Sequence, residues 1–324
     1  MSVTNFNGPF ACLLDDFIEL KRSTGYKYVK ESNYLKQFSD FSVLAGMTEP
    51  KLTKEVSDAW CTARPYENGR NVTQQRITCL RQFALYLLDM GHDTYIPVNQ
   101  EHVRQRKSEF YAYIFTHDEI DSIFRQSNRI YPHRRSTMHL VMPVLVRLLY
   151  CTGIRVMEAL SLRLKDIDQT EGIIKIVNAK FDKDRMLPLS ASMQGILKEY
   201  CEVMHPHFHH EEHLFVGVSR TSLSHHEIYV RFRELLVMAG IPHAGRGNGP
   251  RIHDIRHTFC CHTLQQAISS GADLTNMLPL LSEYLGHESL AATSRYLRMT
   301  AEVYPSVLSA VEKLCSCVIP EVKS

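Results

Sequence analysis

Ile173-Ile-Lys-Ile-Val-Asn-Ala-Lys-Phe-Asp-Lys-Asp-Arg-Met-Leu-Pro-Leu189 is where the apolar pattern of this chain changes from a helical period to a period of two. Residues 173–177 and 185–189 read as two strands of a β-hairpin, and residues 178–184 as its loop, which carries Lys180. On both sides the apolar spacing is helical. One small antiparallel sheet in an otherwise helical sequence excludes a doubly wound nucleotide-binding fold and sets the fold class as mainly α.

Upstream of the hairpin, Thr116 followed three residues later by Glu119 is a capping-box pattern for a helix near 118–125. A dense apolar helix follows over 137–151, through Leu140, Val141, Val144, Leu145, Leu148 and Leu149. Downstream, helices are predicted near 191–203, 224–239, 253–268, 274–284, 291–297 and 303–315. Residues 9–91 read as a separate bundle, with helices near 10–22, 32–45, 53–63 and from a cap at Asn71 to Gly91. Residues 97–112 break the periodicity and hold Arg104, Arg106 and Lys107. The domain plan is therefore a helical bundle over 1–100, a basic linker over 101–112 and a mixed, mostly helical domain over 113–324.

Composition is that of a soluble chain long enough for two cores, with 44% hydrophobic and 22% charged residues. The formal charge is +2, so any polyanionic partner has to be read from local basic clusters, at 104–107, at His133-Arg-Arg135, and at Arg246 and Arg251. No basic-then-apolar leader and no 18-residue apolar run is present, which points to a cytoplasmic protein with no membrane partner. Nine irregularly spaced cysteines without a CxxC pair fit reduced, mostly buried thiols. In His205-Pro-His-Phe-His-His-Glu-Glu-His213, position 210 is His where an HExxH site needs Glu, and Pro206 disfavours a continuous helix. The stretch reads as a solvated loop, and neither a metal nor any other cofactor is expected.

Six residues carry the candidate chemistry: Arg155, Lys180, His253, Arg256, His287 and Tyr296. Side-chain cleavage of a phosphodiester needs a nucleophile, neutralisation of the non-bridging oxygens, and a proton for the leaving oxygen. A phenol near cations can attack phosphorus, two guanidiniums can bracket phosphate oxygens, and a lysine or histidine can supply the proton. His253 and Arg256 lie three apart on one helical face, and Arg155 opens a helix after Thr152-Gly153.

The strings 152–162 (TGIRVMEALSL), 178–189 (NAKFDKDRMLPL), 253–259 (HDIRHTF), 284–287 (YLGH) and 293–296 (TSRY), in this order, make the chain resemble the tyrosine recombinases of the phage-integrase family. The N-terminal helices resemble the core-binding domain of that family. The resemblance implies that Arg155 and Arg256 hold the scissile phosphate and that His253 contacts phosphate and carries a proton. It implies that Lys180 protonates the departing 5′ oxygen, that His287 hydrogen-bonds the phosphate, and that Tyr296 forms a 3′-phosphotyrosyl link. The expected outcome is site-specific exchange of double-stranded DNA without metal or cofactor. It would be carried out by a two-domain clamp acting as a homo-oligomer, in a tetrameric synapse, with partner recombinases as a further option. Integration and excision of a mobile element is the preferred role over resolution of replicon multimers.

Two alternatives stay open at this point: a DNA-binding accessory protein of the same fold that no longer cleaves, and relaxation of DNA in the manner of a type IB topoisomerase. Within the hairpin loop Lys183 competes with Lys180, which is flanked by Ala179 and Phe181 where the family usually has glycine. From Arg256 to His287 is 31 positions, longer than the family pattern by roughly two helical turns. Glu158 reads equally as a partner orienting a cation or as a surface ion pair, and His257 as a structural hydrogen-bonder. A helix over 304–314 is expected to pack on a neighbouring subunit, and no arm-binding domain is expected ahead of the first helix.

Overall fold

The computed structural model describes residues 5–62, 69–98, 112–177, 184–207, 209–243, 249–286, 296 and 300. The chain divides into two compact units, residues 1–110 and 111–324.

In the first unit α1 (Ala11–Ser23), α2 (Val29–Leu44), α3 (Lys54–Cys61) and α4 (Gly69–Asp89) enclose an aromatic core. Phe10, Phe17, Phe38 and Phe83 are fully enclosed, with Phe10 and Phe38 ring centroids 5.1 Å apart. Each such ring contributes about 2–3 kcal/mol of apolar burial. Two boundaries differ from the sequence expectation. Helix α2 begins at Val29, so Ser32 lies inside it and its hydroxyl donates back to the Val29 carbonyl rather than capping the helix. Helix α4 begins at Gly69, which places Asn71 within the helix rather than at its cap. The pattern located both helices but not their first turns, where apolar periodicity has not yet begun.

The second unit is mostly helical, as expected, and is built around α6 (Met138–Thr152). Val141, Leu145 and Leu148 on α6 are fully buried, and the helix packs against α5 (His117–Ser127), α8 (Ala191–Met204), α9 (His225–Met238) and α10 (Asp254–Ser269). The capping box read at Thr116 and Glu119 is present: Thr116 Oγ1 accepts from Glu119 N–H, and Thr116 N–H donates to the Glu119 carboxylate. Strands β2 (Ile173–Ile176) and β3 (Arg185–Pro188) form the hairpin, with Ile174 opposite Leu187. A further antiparallel strand, β1 (Ile167–Asp168), pairs with β2. It is too short to show alternation. What sets it up is a turn in which the Asp168 carboxylate accepts the Thr170 and Glu171 N–H groups.

Helix α11 (Leu274–Leu285) packs on α10 and on β3. Its core, with Leu278, Leu281 and Leu285, meets Cys260, Cys261 and Leu264 of α10 and encloses Tyr296. Among the described residues no helix is long and apolar enough to cross a membrane. Of the described cysteines, Cys61, Cys79, Cys201, Cys260 and Cys261 are buried free thiols, while Cys12 and Cys151 are exposed. His205, read as part of a solvated loop, is buried instead. Its ring nitrogens meet the Glu212 carboxylate and the Leu214 carbonyl, which ties the loop to the core. The basic linker, the hairpin loop with Lys180 and Lys183, His287, and the helices expected near 291–297 and 303–315 lie outside the described residues, apart from Tyr296 and Thr300.

Candidate active site

The site begins where α6 stops. Gly153 takes a left-handed conformation (φ +60°) at the C-cap, its N–H closing on the Leu149 carbonyl. A Cβ built there would lie 2.3 Å from Phe259 Cδ1, so the glycine also lets the backbone touch α10. Two residues on, Arg155 sits at the N-cap of the short helix α7 (Val156–Ser161) in an extended conformation. Its guanidinium is thereby sent across the domain, where Nη2 donates to the Gly286 carbonyl at 3.0 Å.

A second arginine comes from the first turn of α10. Arg256 is 2% exposed; its Nη1 donates to the Gly153 carbonyl at 2.6 Å and its Nη2 to the Leu285 carbonyl at 2.8 Å. A third arginine, Arg185, opens β3, and its Nε donates to the Tyr284 carbonyl at 3.1 Å. Three consecutive carbonyls at the end of α11, Tyr284, Leu285 and Gly286, are thus met by three guanidiniums. A helix C-terminus leaves these acceptors without intrahelical donors and carries partial negative charge, which makes it a natural collecting point for cations. His287, the next residue, lies outside the described residues.

One carboxylate holds two of these arginines apart and in place. Glu158 Oε1 accepts from Arg155 Nη1 at 2.7 Å and its Oε2 from Arg185 Nη2 at 2.6 Å, while Oε2 also accepts the Arg155 N–H at 3.1 Å. Burial alone would push this carboxyl up, but the hydrogen bonds from Arg185 and Arg155 outweigh it and bring it down to about 2. Of the two sequence readings of Glu158, the cation-orienting one matches this geometry. Its side chain is only 11% exposed, so the pair is not a surface one. In sequence Arg185 is only a strand residue, and its sole signal is a charge at the strand's first position. Arg251, read as part of a basic cluster, is instead paired with the buried Asp254 at 3.1 Å.

His253 caps α10, and burial together with the charges of Arg256, Arg251 and Arg155 brings its imidazole down to about 4, so it is neutral at pH 7. Its ring meets that of His257 edge-on, with centroids 5.0 Å apart. Tyr296 is 5% exposed. Its hydroxyl lies 3.0 Å from His257 Nδ1, and the Cys260 thiol, one turn further along α10, also hydrogen-bonds it. Burial and the Cys260 thiol raise the phenol well above its ordinary value, against the pull of Arg256. Of the six sequence candidates, Arg155, His253, Arg256 and Tyr296 are therefore brought into one connected region, while Lys180 and His287 fall outside the described residues. His257, read as a structural hydrogen-bonder, touches the tyrosine hydroxyl. Its spacing of four from His253 and three from Cys260 on one helix face was the available signal.

The sequence profile of the phage integrase family matches residues 114–302. A Sinorhizobium fredii protein named as an integrase/recombinase, y4rB, is 28% identical over 310 residues, covering 94% of this chain and 97% of that relative. The tyrosine recombinase XerD of Listeria monocytogenes is 26% identical, over 89% of this chain and 94% of its own length. Among solved structures, the Tn1549 transposon integrase in complex with transposon right end DNA superposes with a TM-score of 0.61 at 13% identity, covering 90% of this chain and 99% of that one. A lambda integrase dimer bound to a COC′ core site gives 0.60 at 20% identity, over 88% and 94% of the two chains. The chain belongs to the phage integrase family, and it is a tyrosine-type site-specific recombinase.

Proposed function

We propose that this chain cleaves and rejoins double-stranded DNA by attack of Tyr296 on a phosphodiester, leaving the protein on the 3′-phosphate and a free 5′ hydroxyl. The observation that carries this reading is the gathering of Arg155 and Arg256 on the last carbonyls of α11, with the Tyr296 phenol within the electrostatic reach of Arg256. Two guanidiniums so placed can take the two non-bridging oxygens as charge builds on phosphorus. Lys180 supplies the proton to the departing oxygen, neutral His253 contributes a phosphate contact, and His287 donates a further hydrogen bond. The phosphotyrosyl ester keeps the energy of the broken bond, so a 5′ hydroxyl from a second duplex reverses the step and strands are exchanged. The residues over 1–100 serve as the core-binding half of a DNA clamp, joined by the basic linker over 101–112 to the catalytic half over 113–324. The working assembly is a homo-oligomer on DNA, a tetramer at synapsis that partner recombinases can join. The name integrase/recombinase carried by the Sinorhizobium fredii relative supports integration and excision of a mobile element as the role.

The test starts from duplexes selected by this protein from a random pool, remade with a nick beside the cleavage position so that the released fragment diffuses away. Wild type is expected to form an SDS-resistant protein–DNA adduct, and Tyr296→Phe to form none. An adduct in Tyr296→Phe overturns the mechanism, and no adduct in wild type identifies a binding protein that no longer cleaves. Affinity for the selected duplex is expected to fall about linearly on a log–log plot against salt, as phosphate contacts release counterions.

Arg185 supports the site through its fork rather than its charge alone. Arg185→Lys keeps a cation but cannot serve both the Glu158 carboxylate and the Tyr284 carbonyl. Adduct formation under single-turnover conditions is expected to slow on the order of tenfold, with DNA affinity changed less than twofold, an effect of about 1.4 kcal/mol on the transition state alone. An equal loss in affinity and rate argues against this role.

A further inference from the structure

We infer that His257 is the general base of the cleavage step, taking the phenolic proton of Tyr296 at Nδ1 as the oxygen attacks phosphorus. The inference rests on the function proposed above and assigns the phenolic proton to His257 rather than to His253, the proton carrier that the family resemblance implies. The geometry is direct: Nδ1 lies 3.0 Å from the Tyr296 oxygen, within the range for proton transfer. With the ring proton on Nε2, Nδ1 accepts and the phenol donates.

The need for a base follows from the surroundings. Tyr296 is enclosed by Cys260, Cys261, Leu264, Leu278, Leu281 and Leu285, a lining that gives a phenolate little solvation. Among the described residues, the titratable and charged groups that face the phenol include His257, Cys260, Cys261 and Arg256, all on α10. The Cys260 thiol is pushed up to about 12 by burial, so it stays protonated and cannot accept. Arg256 stabilises negative charge without accepting a proton. His253, the other imidazole on this face, is held neutral amid Arg256, Arg251 and Arg155 and sits against the His257 ring. His257 is only half-buried, so a proton received from a buried phenol moves to a ring that solvent can reach.

In the forward step the Tyr296 oxygen bonds to phosphorus and its proton passes to His257 Nδ1. The bond from phosphorus to the 5′ oxygen breaks, and that oxygen receives a proton from Lys180. In ligation the incoming 5′ hydroxyl gives its proton to neutral Lys180 as it attacks phosphorus, the bond from phosphorus to the Tyr296 oxygen breaks, and imidazolium His257 returns its proton to the departing phenol. The two half-reactions thereby leave the protein unchanged.

The experiment measures single-turnover adduct formation on a nicked duplex between pH 6 and 9.5 for wild type and for His257→Gln, whose amide cannot take the phenolic proton. The variant is expected to be about 100-fold slower at pH 7, with a rate that keeps rising with pH where wild type has levelled off. A duplex carrying sulfur at the 5′ bridging position, a leaving group that needs no proton, is expected to restore Lys180→Ala and to leave His257→Gln slow. Placing 3,5-difluorotyrosine at position 296, a more acidic phenol, is expected to recover most of the rate in the His257→Gln background. A His257→Gln protein that cleaves at the wild-type rate overturns the assignment. So does a slow variant with an unshifted pH profile or one restored by the sulfur duplex, and so does a variant that cleaves faster, which would mark His257 as a latch. If His257→Gln does not fold, the difluorotyrosine protein with His257 intact decides the matter: a pH profile shifted to lower pH supports the base, and an unshifted one rejects it. Failure of wild type to form any adduct sinks the proposed function itself, whereas a normal adduct with an indifferent His257→Gln sinks only this assignment.

Discussion

Glu158→Gln is expected to lower the rate of phosphotyrosyl adduct formation by on the order of 10²- to 10³-fold, an effect of about 3–4 kcal/mol on the transition state, while DNA affinity holds or rises. Glutamine keeps the size and one acceptor oxygen, but it cannot satisfy Arg155 Nη1, Arg185 Nη2 and the Arg155 N–H together. Arg155 and Arg185 then become like charges with nothing between them. Arg155 swings toward solvent, where its side chain is already 26% exposed, and leaves the Gly286 carbonyl. A loose guanidinium still attracts a phosphate backbone, which is why binding and chemistry part company. Equal losses in both would show that Glu158 acts only by keeping the domain folded.

The same substitution has a signature in stability against pH. In the fold this carboxyl sits at about 2, against 4.5 for a free glutamate. Its folded-state value is depressed, so its contribution is fully present above 4.5 and is lost as pH falls from 4.5 through 2. By linkage that contribution is up to about 3 kcal/mol, and breaking a buried pair at one partner costs about 3–5 kcal/mol. Urea unfolding is therefore expected to show Glu158→Gln markedly less stable than wild type at pH 7, with the gap closing toward pH 3. A gap that stays constant across that range would remove the ion pair as its cause.

What the sequence disclosed and what it withheld follow from the range of the forces involved. Periodicity located the helices because the burial stripe of each is local, and the hairpin stood out because its period changes. The capping box at Thr116 was legible because both partners lie within one turn. Arg155 and Arg256 were legible as candidates, yet their partners, Gly286 and Leu285, are distant in the chain and are backbone carbonyls with no side-chain signature. Arg185 was missed for the same reason, since its two partners come from α7 and the end of α11. His257 needed the position of Tyr296, 39 residues away, before its role could be told from that of any other helical histidine. Local patterns thus singled out Arg155 and Arg256 as candidates, and long-range contacts to main-chain atoms determine how their side chains are held.

Gly153→Ala is expected to destabilise the second unit by about 2–4 kcal/mol and to slow adduct formation by on the order of 100-fold even below the melting temperature. Two costs add. At φ +60° an alanine carries about 1 kcal/mol of backbone strain, and its Cβ would lie 2.3 Å from Phe259 Cδ1, a distance that requires the ring or the α6 end to move. Overpacking of this kind costs roughly 1–3 kcal/mol. The functional loss is larger because of where the displacement is transmitted. The Gly153 carbonyl receives Arg256 Nη1, and Ile154, 1% exposed, is the single residue between the glycine and Arg155. A shift of even 1 Å at Gly153 therefore moves both Arg256 and Arg155, the arginines proposed to hold the phosphate, one through its hydrogen bond and the other through the chain. Combining Gly153→Ala with Phe259→Leu separates the two effects, since the smaller side chain relieves the contact but not the positive φ. The double variant is expected to recover part of the stability and at least tenfold in rate. A double variant no more active than Gly153→Ala would assign the defect to the backbone conformation and not to the close approach of α6 and α10.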